Sequence, residues 1–450
     1  MSESKQRSFS RETFDMAWPA VIESVLVALA GIVDTLMVSS LGKASVSAVG
    51  ITNQPKFFVF TFFFAINTCI SLMIARKVGE KNRRDANGLF VTGLFIVICM
   101  CALLTVICLL FADTFMSLAG ANAETVGKSA QYFRVIMGGS IFNLLLLYVN
   151  AAQRGSGNTR LAMRTNIVSN IVNLVFDYLL INGKFGFPAL GIIGAAIATV
   201  LGTACACVIS VRTLFLEKSF VQVQYIVQEK IRPEIGYAKD MAGISTAILS
   251  ENILSRLGMM ITSSMTARVG TDPFAAHLVG MNFMTLGFAF ADGLQAAAVA
   301  LFGRSLGEGD IEKAKKYTWC SLQFGLIISA VFSGIMLLFN QQIYNIYYPN
   351  DAVMAGYGRM IAFYFAVILP IQISKTIFSA VLRGAGDVRY TMIGTTVGVT
   401  VIQPLCLYVF TNYFHMGLQG VWLSILISQG IQLILFAGRY FSNQWMKYVS

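Results

Sequence analysis

The chain has 450 residues; 56% are hydrophobic and only 12% are charged, about half the ~25% of a soluble domain. With a mean hydropathy of +0.69 spread over the whole length, this excludes a soluble cytoplasmic enzyme, a disordered chain and a lone anchor on a soluble domain. The net charge of +11, from 33 Lys+Arg against 22 Asp+Glu, would suggest nucleic acid in a soluble protein; here it first asks on which side of a membrane the charges lie.

A spanning helix needs about 20 apolar residues. In chain order, twelve such segments are predicted: 14–40, 52–76, 88–112, 129–153, 161–183, 188–214, 237–267, 274–303, 315–339, 354–382, 388–412 and 418–440. If the N-terminus is inside, 24 of the 33 basic residues fall on inner segments and only Lys43, Lys128, Lys184 and Arg268 on outer connections. The positive-inside rule then puts both termini in the cytoplasm of a multi-pass inner-membrane protein. The basic excess needs no nucleic acid. The N-terminus shows no secretory signal. Eight Cys all fall inside apolar segments, as small buried hydrophobes do, and there are two His, His277 and His415. No disulfide framework, zinc site, His relay or Walker A pattern is visible, and no cofactor is expected.

The longest polar connection, 217–236, divides the chain into an N-terminal lobe, 1–216, and a C-terminal lobe, 237–450. The halves repeat weakly. A shift of 228 residues aligns Ala75–Arg76–x–x–Gly79–Glu80 with Gly303–Arg304–x–x–Gly307–Glu308, and Glu23 with Glu251. A shift of 229 aligns Arg154–Gly155–Ser156–Gly157–Asn158 with Arg383–Gly384–Ala385–Gly386–Asp387; a shift of 226 aligns Gly191–x–x–Gly194 with Gly417–x–x–Gly420. Six spans per half is an even number, so both halves have the same orientation, related by a pseudo-twofold axis along the membrane normal. That is an architecture of secondary transporters.

On these residues the chain resembles the multidrug and toxic compound extrusion (MATE) family over its full length. The signatures are Ala-Arg-x-x-Gly after the second segment, its partner after the eighth, and Arg-Gly-x-Gly-(Asn/Asp) after the fourth and tenth. Asn173–x–x–x–Asp177, Gly191–x–x–Gly194–Ala195–Ala196–x–Ala198–Thr199, Pro19 and Asp34 add to them. The resemblance implies an all-α protein of twelve transmembrane helices in two pseudo-symmetric six-helix lobes, arranged as a V. It implies an antiporter, not an enzyme, that exports organic, often cationic, compounds against Na⁺ or H⁺. A flippase for lipid-linked saccharide or peptidoglycan precursor is the closest alternative. It predicts an Arg-rich cavity, whereas here the membrane-embedded acids outnumber the bases. The expected partners are small organic cations and the bilayer, with the chain as a monomer.

Ionisable residues inside a bilayer cost at least about 2.5–3.5 kcal/mol each, so they are functional candidates. Asn173 and Asp177 share a helix face. Asp34 and Asp177 come late in outward-running segments, and Thr199 comes early in an inward one. Two carboxylates, an amide and a hydroxyl form an oxygen cage suited to a hard cation; paired carboxylates also admit a proton. The resemblance puts the coupling ion on the same residues, with Asn170 able to join. The mate of Asp34 is Thr262, so the C-terminal lobe does not repeat the cage. There, Glu251 matches an acidic family position, while Gln372 replaces an acid that some members carry. Counting depth from the inner ends pairs Lys375 with Glu251, and Arg256 with Asp292. Glu23 is expected to face an inner cavity mouth.

Overall fold

The computed structural model describes the backbone of residues 3–39, 41, 43–121, 125–217 and 219–448; side chains are further left undescribed at 3–8, 28–30, 32–36, 39, 43, 44, 46 and 448. Apolar composition with short polar breaks yields helix almost throughout, and no strand occurs among the described residues. In lipid each backbone N–H and C=O must be satisfied within its own segment, which a helix does. The spans are α1 (Glu3–Ser39), α2 (Lys43–Gly79), α3 (Arg83–Leu110), α4 (Val126–Gly138 and Ser140–Gly155), α5 (Thr159–Asn182) and α6 (Ile192–Arg212). The second half has α7 (Ile235–Ala267), α8 (Thr271–Gly307), α9 (Ile311–Tyr347), α10 (Ala352–Gly384), α11 (Val388–Thr396, a π turn Val397–Ile402, and Gln403–Asn412) and α12 (Gly417–Phe441).

Two irregularities were not expected from the sequence. α4 bends by 48° at Gly139, where a side chain would come within 2.4 Å of Val200. α11 widens into its π turn beside Gln432, whose side chain lies 2.5 Å from where a Cβ on Gly398 would stand. Pro370 inside α10 has no N–H for the Ala366 carbonyl; Ser333 Oγ donates to that carbonyl instead, at 3.4 Å.

The repeat is visible in backbone detail. Asn82 caps α3 by accepting from Asp85 N at 3.0 Å, and Asp310 caps α9 by accepting from Lys313 N at 2.8 Å. Each cap follows a left-handed residue, Lys81 (φ 55°) and Gly309 (φ 76°). Gly157 and Gly386 likewise match at φ 92° and 97°. There the Asn158 and Asp387 amides close the preceding helices onto the carbonyls of Gln153 and Leu382, the bond of a Schellman cap.

Tertiary contacts gather into two compact units: Ile22–Ser245, and Thr246–Ser450 with Met1–Val21. The first has a core around Phe63, Ile70, Phe90, Phe133 and Tyr148; the second is built on Phe302, Phe365, Ile373, Trp422 and Phe436. Within the second unit, α8 and α10 have 67% of their central windows buried, against 28% for α9 and 22% for α11. The exposed Leu, Ile, Val and Phe of the outer helices form the apolar surface that a bilayer covers. Eight described helices, or nine with bent α4, are long and apolar enough to cross a membrane. α5 and α7 are not among them. Their spans carry Arg160, Arg164, Asn166, Asn170, Asn173 and Asp177; and Lys239, Asp240, Glu251 and Arg256. The two helices hold the candidates Asn173 and Asp177, and Glu251.

Candidate functional site

α5 and α6 approach closely because glycines face backbone. A Cβ on Gly194 would stand 2.6 Å from the Leu180 carbonyl oxygen, and one on Gly202 would stand 2.5 Å from that of Ser169. This proximity brings Thr199 of α6 against α5, where Asn173 Nδ2 donates to Thr199 Oγ1 at 3.4 Å. Thr199 Oγ1 in turn donates to the Ala195 carbonyl at 3.0 Å. Asp177 lies one turn beyond Asn173 on the same face and is only 1% exposed. Asn173 and Thr199 therefore meet, with Asp177 one turn from Asn173 along α5. The side chain of Asp34, the fourth predicted member, lies outside the described residues.

The polar stripe on α5 continues toward the inner end. Asn170 Nδ2 donates to the Leu26 carbonyl at 3.3 Å. Asn166 Nδ2 donates to Glu23 Oε1 at 3.1 Å, and Arg154 Nη1 donates to the same oxygen at 2.9 Å. Glu23, expected at a cavity mouth, is thus ion-paired and mostly buried. Asn166, Asn170, Asn173 and Asp177 fall on one face of α5.

The second unit repeats the inner part of this arrangement and not the outer part. Arg383 Nη2 donates to Glu251 Oε1 at 2.5 Å. Glu251 is the mate of Glu23, and Arg383 is the mate of Arg154. Thr400 Oγ1 donates to the Leu254 carbonyl at 2.8 Å, as Asn170 does to Leu26. Where the first unit has Asp177, Asn173 and Thr199, the same shifts give Cys406, Ile402 and Ile425. Thr262, the mate of Asp34, is buried and donates to Gly258 O of its own helix at 2.9 Å.

Both charge pairings deduced by depth are corrected. Glu251 takes Arg383, and Lys375 Nζ instead donates to Gln432 Oε1 of α12 at 2.7 Å. Gln432 is fixed by its own bonds to Ser428 O and Oγ, both at 3.2 Å. Asp292 lies within electrostatic range of Arg383 and Lys375, while Arg256 is exposed on α7. The physical reason is that residue counting gives height along a helix but not direction around it. Glu251, Asp292, Lys375 and Arg383 make one cluster of two acids and two bases, of which Asp292 is the exposed member. Glu251 Oε2, Arg383 Nε and Gln372 Oε1 are buried with no hydrogen-bond partner among the described residues.

Sequence reasoning missed the ion pairs of Arg154 and Arg383, which it read as inner-face topology markers and as part of the Arg-Gly-x-Gly repeat. The signal was present: the two arginines are 229 residues apart and the two glutamates 228 apart, so a pair in one half implied a pair in the other.

These features belong to a known class of membrane transporters. The sequence profile of the family described as MatE matches residues 19–179 and 247–409. That is more than half of the chain, and the chain belongs to this family. A relative from Thermotoga maritima, a probable multidrug resistance protein NorM, is 27% identical over 441 residues, covering 97% of this chain and 93% of its own. The multidrug resistance protein MdtK of Yersinia enterocolitica is 24% identical, covering 96% and 94%. Among solved structures, MATE in complex with MaL6 matches with a TM-score of 0.89 at 23% identity, covering 98% of this chain and 97% of that one. An outward-facing multidrug resistance MATE transporter of the MOP superfamily matches with a TM-score of 0.88 at 22% identity. The fold is therefore the all-α, two-lobe transporter fold of this family, with twelve membrane helices, and the chain is an integral membrane protein.

Proposed function

We propose that this protein is a multidrug antiporter that exports organic cations across the cytoplasmic membrane in exchange for Na⁺ or H⁺. Relatives described as multidrug resistance proteins support the export of varied compounds. The observation that carries the coupling is Asp177, 1% exposed in the outer part of α5, one turn from the Asn173–Thr199 contact with α6. A carboxylate so placed is costly, which marks it as functional.

In this reading Asp34, Asn173, Asp177 and Thr199 receive the coupling ion as a co-substrate. Its positive charge compensates the two carboxylates, favours a different packing of the first unit's outer half, and releases the exported compound outward. Alternating access then comes from movement of the two halves about the substrate site. Asp292, the solvent-accessible acid of the second unit's cluster, supplies attraction for the positive end of a substrate. The Lys/Arg asymmetry supports cytoplasmic termini. The test is uptake of a fluorescent organic cation into inverted reconstituted vesicles under an imposed Na⁺ gradient, an imposed proton gradient, or neither. Transport driven by at least one gradient is expected. Equal transport under all three conditions would refute coupled exchange.

A further inference from the structure

At the inner end of the first unit a cavity of about 250 Å³ lies between the starts of α3 and α7 and the segment joining the two halves. Arg84 and Gly88 come from α3, Lys230 and Arg232 from the connector, and Glu234 and Tyr237 from the start of α7. Three cations face one acid there. A second acid, Asp85, is already engaged: it accepts from the Tyr237 hydroxyl at 3.0 Å and lies 3.2 Å from Lys77 Nζ.

Three neighbouring basic residues have partners. Arg76 and Lys77 pair with Glu80, and Arg83 donates to the Ser219 and Phe220 carbonyls and to Gln222 Oε1. Arg84, Lys230 and Arg232 are exposed, and none makes an ion pair among the described residues. The repeat offers a control. The mate of Arg84 is Glu312, which pairs with Lys315. Arg84 is therefore not a charge shared by both halves.

The walls are built rather than incidental. A Cβ on Gly88 would stand 2.6 Å from the Tyr237 ring, so that ring packs directly on α3. Asn87 Nδ2 donates to Phe220 O and its Oδ1 accepts from Gln222 N, which holds the connector against α3. Lys230 is left-handed, with φ 50°, where a short helix, Val223–Gln228, closes through Lys230 N to Val227 O and Ile231 N to Ile226 O. Glycine is the usual residue at such a cap, and this chain keeps a cation there. The amino ends of α3 and α7 add their positive dipole ends to the same side.

We propose that this cavity binds a phosphate group, as a phospholipid headgroup or a soluble phosphate anion, and that the bound anion ties the connector to α3 and α7. Basic pockets between helix ends on the inner face suit anionic headgroups. The proposal stands apart from ion coupling.

The test uses the purified full-length protein. One arm measures thermal stabilisation by inorganic phosphate in neutral detergent. The other compares phosphatidylcholine vesicles with and without phosphatidylglycerol, and measures lipid retained on the protein by native mass spectrometry. Saturable, salt-sensitive binding in the first arm identifies a soluble phosphate. Selective retention of phosphatidylglycerol in the second identifies a headgroup. Each cation removed should weaken binding about fivefold, so Arg84→Gln with Arg232→Gln should nearly abolish it. Arg84→Lys with Arg232→Lys should keep it and reports on folding. Binding of neither probe by the wild type, or undiminished binding by the Gln pair, would overturn the proposal.

Discussion

Replacing Arg383 with Ala tests the second unit's ion pair most sharply. Arg383 and Glu251 have side chains 13% and 6% exposed and meet at 2.5 Å. Deleting one partner of a buried pair leaves an uncompensated charge and costs about 3–5 kcal/mol. Lys375 remains within electrostatic range of Glu251 but, tied to Gln432, does not replace the guanidinium's hydrogen bond. Replacing both residues, Arg383→Met with Glu251→Leu, removes the charge problem and should recover most of the stability. The first unit supplies an internal comparison. Arg154 and Glu23 are 18% and 12% exposed, and Asn166 gives Glu23 a second donor. Arg154→Ala should therefore cost less than Arg383→Ala. Denaturant unfolding of purified protein in detergent, read as a double-mutant cycle, measures these differences. A loss below about 1 kcal/mol for Arg383→Ala, or a double variant as unstable as the sum of its singles, would refute the reasoning.

Three further outcomes follow from the same geometry. Gly202→Val should cost about 1–3 kcal/mol and separate α5 from α6, lowering gradient-driven transport; a variant with wild-type stability and coupling would contradict the close contact. Lys375→Met removes the donor to Gln432 Oε1 and should cost about 1–3 kcal/mol, measured by unfolding, and efflux with unchanged rate and pH dependence would exclude Lys375 from coupling. A membrane-impermeant thiol reagent applied to intact cells should label Lys184→Cys and spare Lys81→Cys; the reverse pattern would invert the proposed topology.

Much of the architecture was legible because lipid removes alternatives. Long apolar runs must be helices, Lys and Arg suggest sides, and matching Gly and Arg motifs suggested two like halves. Lys81/Gly309, Asn82/Asp310 and Gly157/Gly386 then appeared as matched backbone features. The meeting of Asn173 and Thr199 was legible from the small residues of α6, and the shared face of Asn173 and Asp177 from helix periodicity. The lateral pairing was not. Lys375 and Arg383 are both on α10, and only the packing of α7 and α12 decides which one meets Glu251 and which one meets Gln432. The bend at Gly139 and the π turn of α11 were also hidden, because they arise from how a helix fits its neighbours and leave no apolar periodicity of their own.

The central claim is that the coupling ion acts through the carboxylates of the first unit. Its most direct measurement is gradient-driven efflux of an organic cation from reconstituted vesicles by wild type, Asp34→Asn and Asp177→Asn, with equal amounts of folded protein. Each Asn variant should lose the acceleration that the gradient gives to the wild type. Undiminished coupled efflux in either variant would contradict the account.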